Sequence, residues 1–353
     1  METTYYIYNL IANSTTELIA AVIVAVIPLF FILPYALVAI YGELKISAFM
    51  QDKLGPMRTG PYGLLQPIAE VFKLLQKEDI TPDAADKPLF NIAPVLIFVG
   101  SYAAFAVIPF SSYFAPSGLN VGIFFAMAIS SLAVIAIMMG GWSSGNKFAL
   151  LGAFRSVAQI VSYEIPAAMA ILGIAAMANS LNINTIIESQ SGWFWNWFLF
   201  GGQGGIEKIW VIPFTVVMCV IYFISSLAEC NRTPFDLVEG ESELVAGYAT
   251  EYSGMKYAMF YLAEYANMFV AAALITILFL GGWSSPLGDI LNGPIWQLAW
   301  FVIKTMSIVF LQIWVRWTLP RIRVDQLMFV CWKVFLPISF VCFLAMALAR
   351  MVQ

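Results

Sequence analysis

The 353-residue sequence contains no histidine, only four cysteines and only 11% charged residues. The lack of histidine excludes haem bound through histidine and proton relays that use imidazole. Cys219, Cys230, Cys331 and Cys342 form no CxxC pair, so we expect no iron–sulfur cluster, metal site or disulfide framework, and interpret them as small packed residues. The sequence also has no GxGxxG and no Walker lysine motif for a nucleotide. Any redox chemistry must therefore come from a partner or from a diffusing substrate.

Hydrophobic residues make up 61% of the chain, which excludes a soluble domain with an ordinary polar surface. The first apolar stretch is longer than the core of a secretory signal, and no small-residue cleavage site follows it, so we interpret it as a retained span. The pattern predicts an all-α polytopic membrane protein that forms a single integral membrane domain over residues 1–353. Its eight predicted spans are about 18–41, 89–110, 119–140, 158–179, 209–228, 262–282, 295–318 and 327–349.

The stretch 62–77 has a different pattern, in which apolar residues form one helical stripe and polar residues lie off it. The stripe consists of Leu64, Leu65, Ile68, Val71, Phe72 and Leu75. A helix of this length is about 24 Å long, too short to cross a bilayer. We therefore predict an interfacial amphipathic helix on the cytoplasmic side.

Basic residues are distributed unequally between the two sides. Loops one, three, five and seven hold thirteen of them, whereas the other side holds only Lys208 and Arg350. The thirteen are Lys45, Lys53, Arg58, Lys73, Lys77, Lys87, Lys147, Arg155, Arg232, Lys256, Arg316, Arg321 and Arg323. By the positive-inside rule, the odd-numbered loops are cytoplasmic and both termini lie outside.

Loop five, about 229–261, opens with the acidic segment AECNRTPFDLVEGESELVAGY at 228–248. A helical pattern through 237–247 would place Glu239 and Glu243 on one face and Glu241 on the opposite side. Two carboxylates that lie one helical turn apart raise one another's pKa, which suits groups that hold and pass protons. An acidic run is nevertheless more often a solvated face than a site, and both readings stay open here.

Three further acids, Glu164, Glu229 and Glu264, fall inside or at the ends of predicted spans. A lone charge there costs about 3 kcal/mol, so such residues usually face protein or water. Pro166 removes a backbone hydrogen bond from the Ser162 carbonyl, which predicts a polar kink beside Glu164. Two alternatives remain for these three acids. They could form a proton path, or they could pair with basic residues for structural reasons, as Glu229 could with Arg232 one helical turn later.

Four long stretches resemble one family, the quinone-chamber membrane subunit of respiratory complex I, the proton-pumping NADH:quinone oxidoreductase. They are QDKLGPMRTGPYGLLQPIAEVFKLLQKED at 51–79, GGWSSGNKFALLGAFRSVAQIVSYEIP at 140–166, AECNRTPFDLVEGESELVAGYATEYSGMKYAMFYLAEY at 228–265 and IWVRWTLPRIRVDQLM at 313–328. Together they cover all four basic loops and the adjoining spans. The family often has arginine after the acid at position 43, where this chain has Leu44, so no contact of that arginine is implied.

The resemblance implies a subunit that forms the quinone chamber with a peripheral arm and contains the first part of the proton path. It implies quinone as the substrate, no cofactor on this chain, and flavin and iron–sulfur clusters on partner subunits. Other complex I subunits and membrane lipid would be the partners, with no nucleic acid. The implied chamber residues are Lys45, Arg58, Arg232, Phe235, Asp236, Glu239, Glu241 and Glu243. The implied proton path consists of Glu70, Glu164, Glu229 and Glu264.

Two other functions compete with this one. A related membrane subunit of an energy-converting hydrogenase would have no quinone, and the full loop-five motif favours the quinone enzyme. A stand-alone ion or solute carrier would show inverted repeats of spans, and the sequence shows no such repeat. The resemblance also implies a bacterial inner membrane as the location.

The predicted orientation can be tested by labelling single cysteines. A cysteine at Ser47 or Ser253 should react with an impermeant thiol reagent only from the cytoplasmic side, and one at Ser191 only from outside. The unequal distribution of basic loop residues is the physical reason. Membranes that contain the parent protein with its four natural cysteines give the background, and the reversed labelling pattern would refute the orientation.

Overall fold

The computed structural model describes residues 17–114, 118–203, 209–237, 245–288 and 290–351. In these ranges the chain is helical, and strand pairing is limited to one isolated bridge between Trp193 and Leu287. The α-helices are α1 Glu17–Met50, α2 Gln66–Gln76, α3 Lys87–Ala104, α4 Gly122–Ser143, α5 Lys147–Ala178, α6 Ile183–Glu188, α7 Ile212–Glu229, α8 Gly254–Phe279, α9 Pro294–Thr318, α10 Val324–Val330 and α11 Leu336–Met351. A π-helical turn, Cys331–Phe335, joins α10 to α11.

Eight helical segments within the described residues are long and apolar enough to cross a membrane, which confirms the predicted number. They are Val26–Met50, Lys87–Val107, Gly122–Ser143, Lys147–Ala178, Ile209–Glu229, Gly254–Phe279, Pro294–Thr318 and Val324–Met351. Helix α1 continues to Met50, past residue 41, where the first predicted span ends. Glu43, in this last part of the helix, has buried partners.

Helix α8 lies at the centre of the described helices and packs against α1, α2, α3, α5, α6, α7 and α9. Its buried residues occupy all sides of the helix, from Phe260 to Phe279. A helix that is apolar all round and surrounded by protein suits a central position. Glu264 and Asn267 are polar exceptions on this helix, and they mark where the site lies.

Helix α5 begins at an asparagine cap and contains a proline. Asn146 Oδ1 accepts a hydrogen bond from the Phe148 N–H at 2.9 Å, which satisfies one of the free donors at the helix start. Pro166 leaves the Ser162 carbonyl without its usual helical partner, as the sequence predicted. The Cys331 thiol of the π turn, 3.0 Å away, donates to that carbonyl. The hydrogen-bond donor to the Ser162 carbonyl is thus a side chain of the last span, Val324–Met351.

Lys304 is a buried cation in α9 that closes the end of α8. Its Nζ donates to the carbonyls of Leu280, Gly282 and Ser284 at 2.7, 3.1 and 2.7 Å. It also lies 4.3 Å from the ring centroid of Trp197. A cation at a helix C-terminus satisfies free carbonyl groups and interacts favourably with the helix dipole.

The predicted amphipathic segment contains the helix α2, which Pro67 starts at its first turn. Its apolar stripe is largely exposed in this chain, with Phe72 at 61% and Leu75 at 54%. Helix α2 contacts α1 and α8. Its position at a membrane interface stays a prediction, and most of the helical pattern predicted for 237–247 falls on residues outside the described ranges.

A close backbone approach holds loop five against α5. A Cβ atom on Gly152 would lie 2.7 Å from the Cα of Gly247, a distance at which one backbone must move. A Cβ on Gly42 of α1 would meet no atom within 4 Å. Glycine is therefore required sterically at the first position and not at the second.

We expect Gly152→Ala to lower the thermal inactivation midpoint of the assembled protein in detergent, and the matched variant Gly42→Ala to leave it unchanged or raise it. Both gain helix propensity, up to about 1 kcal/mol, but only Gly152→Ala adds a clash of about 1–3 kcal/mol. Equal midpoints for the two variants would contradict the close approach of loop five.

Candidate functional site

The first part of the site is a buried charge cluster, which we call the Arg232 cluster. It consists of Glu43, Arg232, Glu264, Tyr265 and Arg316, which come from α1, loop five, α8 and α9. Arg232 Nη1 donates to Glu43 Oε2 at 2.8 Å, and Arg232 Nε lies 2.5 Å from Glu264 Oε1. The second carboxylate oxygen of Glu43 pairs with Arg316. Two arginines thus face two glutamates.

Arg232 is 3% exposed, so its charge requires these partners. Burial by itself lowers the pKa of the guanidinium, but the carboxylates of Glu264 and Glu43 outweigh this effect and hold the pKa well above its ordinary value. Arg232 is therefore permanently charged. Its guanidinium also lies 4.6 Å from the ring centroid of Tyr265, whose hydroxyl donates to Glu43 at 2.6 Å.

The second part of the site is a pair of adjoining cavities between the helices. Cavity A has a volume of about 60 Å³, and its polar lining includes Ser101, Ser130, Glu164, Glu229 and Asn267. Its apolar walls come from α3, α4, α5, α7 and α8. This volume exceeds the about 10–15 Å³ that one water molecule needs, and the polar side chains offer hydrogen bonds. The cavity can therefore hold water between carboxyl groups.

Cavity B, of about 30 Å³, lies between cavity A and the Arg232 cluster. Its lining consists of Ile97, Ala133, Ile137, Glu229, Cys230, Asn231, Tyr248, Phe260, Glu264 and Asn267. Glu229 lines both cavities, and Glu264 lines cavity B while it pairs with Arg232. The order of the acids from the cluster inward is therefore Glu264, Glu229 and Glu164.

The three acids differ in their partners. Glu264 is ion-paired, whereas Glu164 and Glu229 have no hydrogen bond or ion pair among the described residues. The suggested pair of Glu229 with Arg232 is not formed, because Arg232 points to Glu43 and Glu264 instead. A carboxyl group without a fixed counter-ion can change its protonation state without breaking an ion pair.

The other predicted residues lie apart from the cavities. Glu70 of α2 accepts a hydrogen bond from Gln66 at 3.2 Å and lines neither cavity A nor cavity B. Lys45 Nζ donates to the Pro56 carbonyl at 2.8 Å, which ties α1 to loop one, and Arg58 is exposed. Glu239, Glu241 and Glu243 lie outside the described residues.

Phe235 and Asp236 follow Arg232 but have different surroundings. Phe235 is buried 5.2 Å from the ring of Tyr163 and lines an apolar cavity of about 410 Å³ between α7, α9 and the last span. Asp236 is partly buried. The structure therefore brings Arg232 to the charge cluster and Phe235 to an apolar wall.

Sequence reasoning missed Glu43, Tyr265, Arg316 and Asn267 as members of the site. The charges of Glu43 and Arg316 within or beside apolar stretches were the available signal, because a charge in a span needs a partner. Their predicted location in loops concealed it. Asn267 and Tyr265 gave no comparable signal, because polar uncharged residues are common at helix contacts.

The ion pairs of Arg232 can be tested with a double-mutant cycle. Arg232→Gln should lower the thermal midpoint of the assembled protein, because it removes the main partner of Glu264, a loss of about 3–5 kcal/mol. Adding Glu264→Gln should recover part of that loss, since no unpaired carboxylate then remains beside residue 232. Arg58→Gln, at an exposed residue, is the control. If the losses of stability from Arg232→Gln and Glu264→Gln simply add in the double variant, the ion pair between Arg232 and Glu264 is contradicted.

Comparison with known proteins supports one family. Residues 21–347 match the family described as NADH dehydrogenase. The H subunit of NADH-quinone oxidoreductase from Chlorobaculum tepidum is 55% identical over 338 residues, which cover 93% of this chain and 91% of that protein. The protein of the same name from Bacillus cytotoxicus is 46% identical over 317 residues, 89% of each chain. The chain therefore belongs to the NADH dehydrogenase family of membrane subunits, which includes the H subunit of NADH-quinone oxidoreductase.

Proposed function

We propose that this chain is the subunit of a proton-translocating NADH:quinone oxidoreductase that forms the quinone chamber with the peripheral arm and holds the first part of the proton path. In this proposal the odd-numbered loops face the cytoplasm of a bacterium, and both termini lie outside the inner membrane. The chain binds no cofactor of its own. Flavin and iron–sulfur clusters on partner subunits supply the electrons.

The observation that carries this proposal is the arrangement of Glu264, Glu229 and Glu164 along two adjoining cavities that begin at the Arg232 cluster. A row of carboxyl groups with space for water between them is what proton transfer through a membrane protein requires. Simple structural pairing would not leave Glu164 and Glu229 unpaired among the described residues.

Reduction of a quinone to a quinol takes two electrons and two protons. Loops one and five emerge on the same side of the described helices and contain Arg58, Arg232 and Asp236. Lys45 lies in the last part of α1, next to loop one. Basic groups at a chamber wall stabilise the negative charge that forms before protons arrive. Glu239, Glu241 and Glu243 belong to loop five and are proposed as further acids of the chamber.

The Arg232 cluster offers a way to couple that charge to the proton path. Arg232 divides its interactions between Glu43 and Glu264, so a new negative charge near Glu43 changes the balance between its two partners. When Arg232 moves away from Glu264, that carboxylate loses its counter-ion and favours proton uptake. The proton can then pass through cavity B to Glu229 and through cavity A to Glu164.

The proposal predicts that Glu164→Gln and Glu229→Gln slow quinone reduction and coupled proton pumping by the assembled complex, each by roughly tenfold or more. Glutamine keeps the size of the side chain but can neither hold a charge nor relay a proton. Electron transfer from NADH to hexacyanoferrate should stay near the wild-type rate, because this hydrophilic acceptor takes electrons upstream of the chain. Both rates are measured in membranes in which a native gel shows intact complex.

Glu188→Gln is the matched control, because Glu188 is exposed at the end of α6 and lines neither cavity. If the acids only hold the structure, the complex should fail to assemble, and both acceptor activities should fall together. Wild-type quinone reduction and pumping in Glu164→Gln and Glu229→Gln would refute the proton path.

A further inference from the structure

Asn267 occupies the junction between the two cavities. It follows Glu264 by three residues on α8, so both side chains lie on the same face of the helix. Asn267 lines cavity A and cavity B, as do Ala133, Glu229 and Cys230. The polar groups at this junction are thus one acid, one amide and one thiol.

The thiol is a poor candidate for handling protons at the junction. Burial and the neighbouring Glu229 raise the pKa of Cys230, so the thiol remains neutral and is only a weak hydrogen-bond donor. Ala133 offers no polar atom. Asn267 and Glu229 therefore provide the strong hydrogen-bonding groups shared by the two cavities.

Asn267 is half-buried, although its helix is the most buried of the eight described spans, and its amide makes no hydrogen bond to the described residues. Its hydrogen-bonding groups are therefore available to water in the two cavities that it lines. An amide has two donor hydrogens and one acceptor oxygen, and it does not titrate. Facing a cavity large enough for water, it can hold a water molecule in one orientation.

We propose that Asn267 is the positioning residue that orients water between Glu264 and Glu229 and so joins the two halves of the path. It holds the water by donating from its amide nitrogen and accepting at its oxygen, while the proton itself moves along the water and the two carboxyl groups. This inference rests on the proposed function, because it assigns a role to Asn267 within that same path.

The test uses the assembled complex with Asn267→Leu, which keeps similar size and removes both hydrogen-bonding groups. Quinone reduction and pumping should fall about fivefold or more, and the solvent deuterium isotope effect on quinone reduction should increase, because transfer through poorly oriented water becomes rate-limiting. The hexacyanoferrate rate should stay unchanged. Glu188→Gln, at an exposed residue that lines neither cavity, is again the control.

A second pair of variants, Asn267→Ala and Asn267→Ser, distinguishes the loss of hydrogen bonding to water from the loss of side-chain packing. The same pair tests the proposal if the complex with Asn267→Leu does not assemble. The two side chains have similar size, and serine alone can donate and accept a hydrogen bond. Serine should restore much of the rate that alanine loses. Equal rates and equal isotope effects for the two variants would overturn the role of Asn267.

The failure of this inference can be told apart from failure of the proposed function. If Glu229→Gln is slow but Asn267→Leu and Asn267→Ala match the wild type, the proton path stands and Asn267 has no part in it. If Glu229→Gln and the Asn267 variants all match the wild type, both the path and this inference are refuted.

Discussion

The buried guanidinium of Arg232 is the interaction on which the rest of the site depends. It is 3% exposed and lies between two carboxylates, Glu43 and Glu264, that are far apart in the sequence. Isolated ions in such a setting would be unstable, so α1, loop five and α8 must meet at this point. Arg316 of α9 adds the fourth charge and brings the cluster close to neutrality. The cluster therefore determines where four segments of the chain come together.

The central helix α8 connects this cluster to the cavities. Glu264 faces Arg232, and Asn267, one turn further along, faces the space beyond. The neighbouring helices bury the remaining residues of α8 on all sides. Packing thus leaves the polar face of α8 as the place where water and carboxyl groups can meet inside the described helices.

Paired and unpaired acids have different chemical capacities. Glu43 is held by two arginines and a tyrosine, so its charge is strongly stabilised and its role is to orient Arg232. Glu164 and Glu229 lack such partners among the described residues, and a change in their protonation state breaks no ion pair. Glu264 lies between these two classes, because it is both paired with Arg232 and in contact with cavity B. Glu264 is therefore the acid that connects the charge cluster to the cavities.

The sequence by itself determined the membrane class, the eight spans and the acids Glu164, Glu229 and Glu264. These features depend on local hydropathy and on the cost of a lone charge in a span, which can be evaluated residue by residue. The unsatisfied Ser162 carbonyl was likewise predictable from Pro166 alone. Only the tertiary structure decided that Arg232 pairs with Glu43 and Glu264 rather than with Glu229, and that Cys331 satisfies Ser162. Those partners lie far apart in the sequence, so helix packing, which no local pattern encodes, selects among the acids that could have paired.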